Sequence, residues 1–283
     1  MDDATITKVL KGRTKLKVVG QLSADVMNVL LASDDITYLD LSDVTAADGY
    51  SLNDISISSS STLASKLQTI LLPEGMTSIG QYTFRYCSAL TEVTIPSSVQ
   101  SIGNYAFYGL TSLAKVEFEE NSSLSSIGEM AFIDCKALTE VTIPSSVQSI
   151  GSCAFAHCTS LAKVEFEKPS CLTSIDGAVF AGCNALKEIT IPSGVTSLGQ
   201  LFATCESLAT VTCDGAIESI VDMAFASCLK LQHLYLKNCT ALPSFGTNVF
   251  LGVQQTVTVH LNQKLLDTVT AASTTWSGAT FDE

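Results

Sequence analysis

Internal repetition constrains this chain more than any other feature of its sequence. The segment LTEVTIPSSVQSIG occurs letter for letter at residues 90–103 and 138–151, and a drifted copy, LKEITIPSGVTSLG, occupies residues 186–199. Each copy begins 48 residues after the one before it, and LAKVEFE, at residues 113–119 and 161–167, repeats with the same step. The duplicated unit therefore contains two smaller repeats.

A phenylalanine marks each smaller repeat, within the pattern I-G-x-x-A-F-x-x-C. Successive copies of this phenylalanine lie 22–25 residues apart. Such a period, combined with L-x-x-L-x-L spacing, is typical of a leucine-rich-repeat solenoid. In a solenoid each coil buries its apolar face against its neighbours, because one coil alone cannot form a core. The marking residues are Phe84, Phe107, Phe132, Phe155, Phe180, Phe202, Phe225 and Phe250.

One coil can be followed from Leu90 onward. Val93 and Ile95 alternate with polar residues, as in a short strand with one buried face. Pro96 ends this strand because proline has no N–H to donate to a ladder. Residues 104–110 then predict a helical turn or a short 3-10 segment. The predicted fold class is an α/β repeat solenoid: a right-handed leucine-rich-repeat superhelix with short parallel β-strands on the concave face and short helical or 3-10 turns on the convex side.

The two ends of the chain depart from the repeat, as terminal coils must because one side faces water. Residues 23–32 predict a helix with Ser23 as its N-cap. Trp276 and Phe281 are expected to fold over the last coil. We therefore predict a single domain over residues 1–283, with an N-terminal cap at 1–45, repeats at 46–252 and a C-terminal cap at 253–283.

Composition excludes several classes of function. The formal charge of −13 argues against nucleic acid and anionic membranes as partners, because both would repel the chain. No apolar run is long enough to cross a bilayer as a helix. The N-terminal MDDATITKVL is too polar for a secretory signal, which leaves a cytosolic protein or a mature chain whose leader has been removed.

Six of the ten cysteines lie three residues after the repeat phenylalanine. Side chains stacked in such a column project in parallel from coils about 4.8 Å apart. This keeps their Cβ atoms too far apart for disulfides. We expect free, buried thiols that behave as small apolar side chains with a weak hydrogen-bond donor. The column is Cys87, Cys135, Cys158, Cys183, Cys205 and Cys228.

Catalytic and metal-binding patterns have little support in the sequence. Cys153, His157 and Cys158 are close together, but Cys158 belongs to the buried column, so we expect no zinc site. His233 and His260 are isolated in the sequence. No Gly-Lys-Ser/Thr phosphate loop occurs. We therefore expect no enzyme activity, no metal and no cofactor.

The outward positions of the predicted strands are the remaining surface of interest. The third position of successive repeats alternates in sign through Glu92, Lys115, Glu140, Lys163 and Glu188. We expect each lysine to pair with glutamates on the neighbouring strands. Such a ladder fixes the strand register and contributes about 0.2–1 kcal/mol per pair.

The fifth position is rich in Thr and Glu, which can hydrogen-bond to a glycan or an extended peptide. In the last repeat the spacing predicts Thr256 at the third position and Thr258 at the fifth. Aromatic anchors are few on this face, although interfaces favour them. The candidate binding residues on the concave face are Tyr38, Thr94, Glu117, Thr142, Glu165, Thr190, His233 and Tyr235.

The motif set LxxVTIPssVxsIGxxAFxxCxxL resembles the BspA-like leucine-rich repeat family of bacterial surface proteins and some parasitic protists. The resemblance covers roughly residues 70–252, and the N-terminal LKVVGQLSADVMNVLL is similar to the entry segment of secreted Bacteroidales members. It implies a non-catalytic adhesion or recognition role at a cell surface. The family has no fixed ligand motif, so no binding residue is implied by it.

The sequence thus predicts an extracellular or cell-surface module that binds a host or microbial protein or a glycan through the solenoid surface. The alternative is a structural spacer within a larger surface protein, with no ligand of its own. We expect a monomer without a transmembrane segment, without nucleic acid as a partner and without a cofactor.

Overall fold

A row of short parallel strands, one per coil, dominates the computed structural model, which describes residues 12–57, 61–175, 177–269 and 276–282. Pairing joins equivalent positions of successive coils, as in Val93 beside Val116. This confirms the predicted solenoid. We call these the front strands: Lys15–Lys17, Tyr38–Asp40, Thr69–Leu71, Glu92–Ile95, Lys115–Phe118, Glu140–Ile143, Lys163–Phe166, Glu188–Ile191, Thr210–Cys213, His233–Tyr235, Val257–His260 and Ala279–Asp282.

A second row of two-residue strands, the side strands, follows eight of the described front strands, each after a turn. Its serine faces outward and its apolar residue is mostly buried, as at Ser101 and Ile102. The side strands are Ser78–Ile79, Ser101–Ile102, Ser126–Ile127, Ser149–Ile150, Ser174–Ile175, Ser197–Leu198, Ser219–Ile220 and Ser244–Phe245, and near the N-terminal end a separate pair is formed by Gly20–Leu22 and Val44–Ala46.

Both rows are interrupted at the same coil boundary. The front strands form a seven-stranded sheet that ends at Lys163–Phe166 and a five-stranded sheet that begins at Glu188–Ile191. The side strands likewise divide into sheets of five and three, between Ser174–Ile175 and Ser197–Leu198. Within the described part of the chain, no strand ladder crosses this boundary, which we call the ladder break.

The core runs through the ladder break without interruption. The repeat phenylalanines stack ring on ring along the solenoid, with centroids 4.9 Å apart for Phe107 and Phe132 and 6.0 Å apart for Phe180 and Phe202. The rings from Phe84 to Phe225 are fully buried. Stacked or offset aromatic pairs stabilise a core beyond the area they bury. This column, together with backbone hydrogen bonds between turn segments such as Phe180 N–H to Leu201 O at 2.9 Å, holds the coils together where the strand ladders do not.

The turn segments around each phenylalanine differ in detail from the expected helical turn. In residues 104–110 the N–H groups alternate between bonds within the coil, such as Ala106 to Gly103 O, and bonds to the next coil, such as Phe107 to Ala131 O at 2.7 Å. Tyr105 has a positive φ of 57° and Gly109 one of 74°. Left-handed residues between right-handed ones prevent a regular 3-10 helix. The only 3-10 helices among the described residues are Leu52–Asp54 and Leu63–Ser65.

The predicted helix near the N-terminal end and the predicted tryptophan contact near the C-terminal end are both present. Helix α1, Ala24–Leu31, is capped by the Ser23 side chain, which accepts a hydrogen bond from Val26 N–H, and it buries Met27 and Leu30. At the other end helix α2, Gln263–Leu266, follows the strand Val257–His260. Trp276 stacks on Phe245 with centroids 4.1 Å apart. The strand Ala279–Asp282 adds an outermost member to the front row, which the sequence did not predict.

Candidate binding surfaces

All eight predicted binding residues lie on front strands and alternate there with buried residues. Register places Thr94 beside Glu117 and Thr142 beside Glu165. The set is spread from the second front strand, with Tyr38, to the strand of His233 and Tyr235 near the other end. It therefore forms a long strip and does not converge on one point. Its role in binding stays a prediction.

The charges on the strip pair differently from the expectation. Lys115 Nζ contacts Glu117 Oε1 at 2.6 Å, and Lys163 Nζ contacts Glu165 Oε1 at 2.9 Å, so each lysine binds the glutamate of its own strand. The hydrogen bond to Glu117, followed by its charge, raises the pKa of Lys115. The register does place Lys115 between Glu92 and Glu140 of the neighbouring strands, as expected. The direct ion pair differs from the expectation because a lysine side chain can also reach the residue two positions along its own strand, on the same face.

Two glutamates at the ends of the KVEFE strands have a structural role. Glu119 Oε2 accepts a hydrogen bond from the backbone N–H of Ser97 at 2.8 Å, and Glu167 Oε2 accepts one from Ser145 N–H at 2.9 Å. Each carboxylate thus accepts a hydrogen bond from a backbone N–H in the turn that follows Ile-Pro in the preceding coil. These two carboxylates therefore link neighbouring coils.

A cleft of about 1180 Å³ opens at the ladder break. It lies between the front strands Lys163–Phe166 and Glu188–Ile191, and its floor includes the half-buried Phe166. The preceding coil begins with KVEFE and takes 25 residues to reach the next strand, from Lys163 to Glu188. We call this the front cleft; its polar lining includes Thr142, Glu165, Lys168, Glu188, Thr190 and Asp214.

The charged side chains that line the front cleft have a net negative charge, although two of them are lysines. Lys163 is paired with Glu165, and Lys168 Nζ contacts Asp214 Oδ2 at 2.8 Å. The ion pairs found among the described residues do not include Glu188. The cleft therefore brings together three of the eight predicted residues, Thr142, Glu165 and Thr190, and adds Glu188 beside them.

A cluster of four tyrosines and one arginine lies on the turn segments, and the sequence analysis missed it. Tyr82 stacks on Tyr105 at 5.2 Å, and Tyr86 lies 4.9 Å from Tyr108, between ring centroids. The Arg85 guanidinium lies 4.9 Å from the Tyr86 ring centroid and 5.2 Å from that of Tyr82. Tyr82 and Tyr86 are 39% and 41% exposed. Tyrosine and arginine are enriched at interaction hot spots.

Repeat spacing could have revealed this tyrosine cluster. Tyr82 and Tyr105 both lie two residues before a repeat phenylalanine, so they occupy the same place in adjacent coils. Both also have positive φ, at 61° and 57°, which is uncommon for a tyrosine. The left-handed backbone at this position turns the side chain toward the surface, which the buried-or-exposed pattern of the sequence does not indicate.

Three aromatic residues meet near the C-terminal end of the front row. The sequence treated His233 and His260 as isolated, but His233 Nδ1 lies 3.1 Å from His260 Nε2. Tyr235 stacks on His260 with centroids 4.1 Å apart and planes 8° apart. The predicted register of the last coil was wrong by two residues, because Thr258 pairs with His233 and His260 with Tyr235.

The cysteine column is confirmed as free and buried. Cys158 Sγ donates to Phe132 O at 3.2 Å, and Cys205 Sγ donates to Phe180 O at 3.0 Å. Burial raises the pKa of Cys205 to about 12, so the reactive thiolate is scarce near neutral pH. Within the described residues, no group of three or more His, Cys, Asp or Glu side chains is placed to hold a metal ion.

Parallel coils of 22–25 residues with a stacked phenylalanine core define a leucine-rich-repeat solenoid. A family model described as BspA type leucine rich repeat region matches six copies, over residues 55–169 and 173–272. The chain belongs to this BspA-type leucine-rich repeat family. A comparison with curated proteins finds no match.

Solved structures of bacterial proteins are similar to this chain. A leucine-rich repeat protein of T. pallidum is 26% identical over 72% of this chain and 89% of that one, with a TM-score of 0.55. A leucine-rich cell surface protein from Faecalibacterium prausnitzii is 26% identical over 66% of this chain and 65% of that one, with a TM-score of 0.44. The T. pallidum likeness supports the solenoid fold. In the part of the chain described here, no helix is long and apolar enough to span a membrane.

Proposed function

We propose that this chain is a non-catalytic recognition module of a bacterial cell-surface protein, and that it binds an extended segment of a protein partner in the front cleft. The observation that carries the proposal is the ladder break between Lys163–Phe166 and Glu188–Ile191, where a cleft of about 1180 Å³ adjoins strand edges outside any ladder. Extended peptides commonly bind at such edges through main-chain hydrogen bonds.

The lining of the front cleft favours a segment with basic side chains. Glu165 and Glu188 flank the break, and Thr142 and Thr190 offer hydroxyl groups beside them. Complementary charge selects partners and raises association rates more than it raises affinity. The formal charge of −13 adds a long-range attraction for a basic partner.

Binding assays on peptide and glycan arrays test this proposal, followed by affinity measurements on the strongest ligand. The cleft variant is Glu165→Gln combined with Glu188→Gln. The control is Glu117→Gln, because Glu117 occupies the same place as Glu165 in an identical LAKVEFE segment and has the same lysine contact, but lies outside the cleft. We expect basic extended peptides to bind, and the cleft variant to weaken them at least tenfold while the control does not.

Other outcomes would contradict the proposal in distinguishable ways. Equal losses in the control would mean that overall charge, and not the cleft, attracts the ligand. Binding of glycans alone would replace the protein partner with a saccharide. If neither array gives a ligand, the spacer function is favoured, for which the uninterrupted phenylalanine column provides a continuous core.

The tyrosine cluster is a second candidate contact surface for the same recognition function. Arg85 holds the rings of Tyr82, Tyr86 and Tyr108 in place through cation–π contacts, so little side-chain entropy is lost when a partner binds. Tyr82→Ala combined with Tyr86→Ala should leave binding in the front cleft unchanged. A larger loss in this variant than in the cleft variant would move the contact to the turn segments.

A further inference from the structure

The two histidines near the C-terminal end of the front row are brought into contact by the strand register, with their ring planes tilted by 38°. His260 lies directly opposite Tyr235 and diagonally from His233, which pairs with Thr258. The stacked Tyr235 ring orients the His260 imidazole, and its Nε2 then lies 3.1 Å from His233 Nδ1. One of these nitrogens carries a hydrogen and the other accepts it. The pair is therefore preorganised by both strands and by an aromatic neighbour.

We propose that His233 and His260 form a two-histidine site for a divalent transition-metal ion such as Zn²⁺ or Cu²⁺. A tetrahedral zinc ion with Zn–N bonds of about 2.0–2.1 Å holds two nitrogens about 3.3 Å apart. The observed separation of 3.1 Å is close to this value. Imidazole nitrogen suits zinc, copper and nickel, whereas the hard ions Ca²⁺ and Mg²⁺ prefer oxygen ligands.

Metal entry requires a change of tautomer at one ring. The hydrogen between the two nitrogens moves to the other nitrogen of its own imidazole, which leaves both rings neutral and both facing lone pairs available. No electron is transferred and no bond to carbon changes. Two protein ligands are fewer than a structural zinc site has, so water would complete the coordination and the site would stay open to an outside ligand.

One acidic and one basic side chain lie near the two histidines. Asp282, on the outermost strand, is in register with His260 and is therefore on the same face one strand away. Lys237 lies on the other side, with its Nζ 6.0 Å from the Tyr235 ring centroid. His260 is 9% exposed and His233 more so, so an ion reaches the pair from the side of His233.

Isothermal titration of the tag-free full chain with Zn²⁺, and separately with Cu²⁺, tests the site. The chain has three histidines, and His157 lies in a turn segment far along the solenoid, which makes His157→Ala the matched control. All variants carry Cys171→Ser, because this exposed thiol could itself bind the metal. We expect one ion per chain with micromolar affinity, a loss of at least tenfold in His233→Ala and in His260→Gln, and no change in His157→Ala.

The double variant separates a shared site from two independent effects. If both nitrogens bind one ion, His233→Ala with His260→Gln should bind hardly more weakly than either single variant. His233 is the more exposed histidine, so His233→Ala keeps the test valid should His260→Gln unfold the last coil, as circular dichroism would reveal. Equal loss in His157→Ala, unchanged binding in both single variants, or tight binding of Mg²⁺ at the same site would overturn the proposal.

Discussion

The two halves of the solenoid use the same residues but stack them differently. From Phe84 to Phe155 the ring centroids are 4.9–5.2 Å apart, whereas from Phe155 to Phe250 they are 5.8–6.0 Å apart. The closer half lies within the seven-stranded sheet, and the wider half begins one coil before the ladder break, where the coils of Phe155 and Phe180 are still joined by the strands Glu140–Ile143 and Lys163–Phe166. We call them the close half and the wide half.

The glycines that follow the apolar residue of each side strand show open space at the ladder break, but not along the whole wide half. A Cβ added at Gly128 would lie 2.7 Å from the backbone nitrogen of Asn104, and one at Gly151 would lie 2.7 Å from that of Glu129. At Gly177 and Gly199, on the two sides of the ladder break, nothing lies within 4 Å, whereas a Cβ at Gly246, farther along the wide half, would overlap the backbone nitrogen of Asp222. The comparison teaches that strand ladders and core stacking are separable: the phenylalanine column continues where the ladders stop, and the gap between ladders becomes surface that a ligand can enter.

The largest expected effect concerns the phenylalanine column. Phe132→Ala and Phe225→Ala should each lower the free energy of unfolding by about 3–5 kcal/mol, because each empties a fully buried site. Phe132→Ala should cost more, since its ring has neighbours at 4.9 and 5.1 Å, against 5.9 and 5.8 Å for Phe225. Denaturant unfolding followed by circular dichroism measures both. Equal losses of unfolding free energy in the two variants would show that the difference in ring spacing does not affect stability.

A matched pair of glycine substitutions should give the next largest effect. Gly128→Ala should destabilise the chain by about 1–3 kcal/mol, because its Cβ would overlap backbone that can move only by separating two coils. Gly199→Ala should be neutral or slightly stabilising, since it fills open space and reduces the freedom of the unfolded chain. Thermal unfolding of both variants checks this. A similar loss in Gly199→Ala would show that the coils at the ladder break are as tightly stacked as those of the close half.

The alkylation rates of buried thiols should show a smaller difference, between the ladder break and the close half. Buried thiols react only when the structure opens locally. With no ladder across the break, we expect Cys183 and Cys205 to be alkylated about five- to tenfold faster than Cys135 and Cys158, a difference of about 1 kcal/mol in opening free energy. Pulsed alkylation with peptide mass spectrometry measures the rates, and the exposed Cys171 is the positive control. Uniform rates along the column would mean that the halves open together.

The smallest expected effect is acid sensitivity in the N-terminal coils that precede the close half. Burial alone would raise the pKa of Asp40, but hydrogen bonds from Ser42 and the charge of Lys17 outweigh it and lower that pKa. A lowered carboxyl pKa contributes stability above the unfolded pKa, and this is lost as pH falls through the folded pKa. Ser42→Ala should therefore reduce stability by less than about 1 kcal/mol at neutral pH and by less still at pH 2. Unfolding curves at both pH values check this; a loss that persists unchanged at pH 2 would assign it to packing.

Much of the fold could be predicted because burial is periodic in the sequence. Val93 and Ile95 alternate with polar residues, Phe132 recurs at a fixed place in its coil, and Cys135 follows it at a constant offset, so each had one possible place in a stacked solenoid. The Ser23 cap and the covering of the last coil by Trp276 followed from the need to shield terminal coils.

The candidate sites were harder to predict because they depend on neighbours 22–25 residues away. Lys115 could reach Glu117, Glu92 or Glu140, and only side-chain geometry decides among them. The contact of His233 with His260 depends on how the last coil accommodates its two extra residues.

The repeat by itself determined that the coils stack, which side chains they bury and which positions face outward. Apolar residues that recur once per coil are removed from water together only when successive coils stack on one another. Tertiary structure alone decided where the strand ladders stop, which charges pair and which aromatic rings meet. Those outcomes depend on differences of a few tenths of an ångström to one ångström in coil spacing and on rotamers that are nearly equal in energy, and a pattern of residue types does not carry that information.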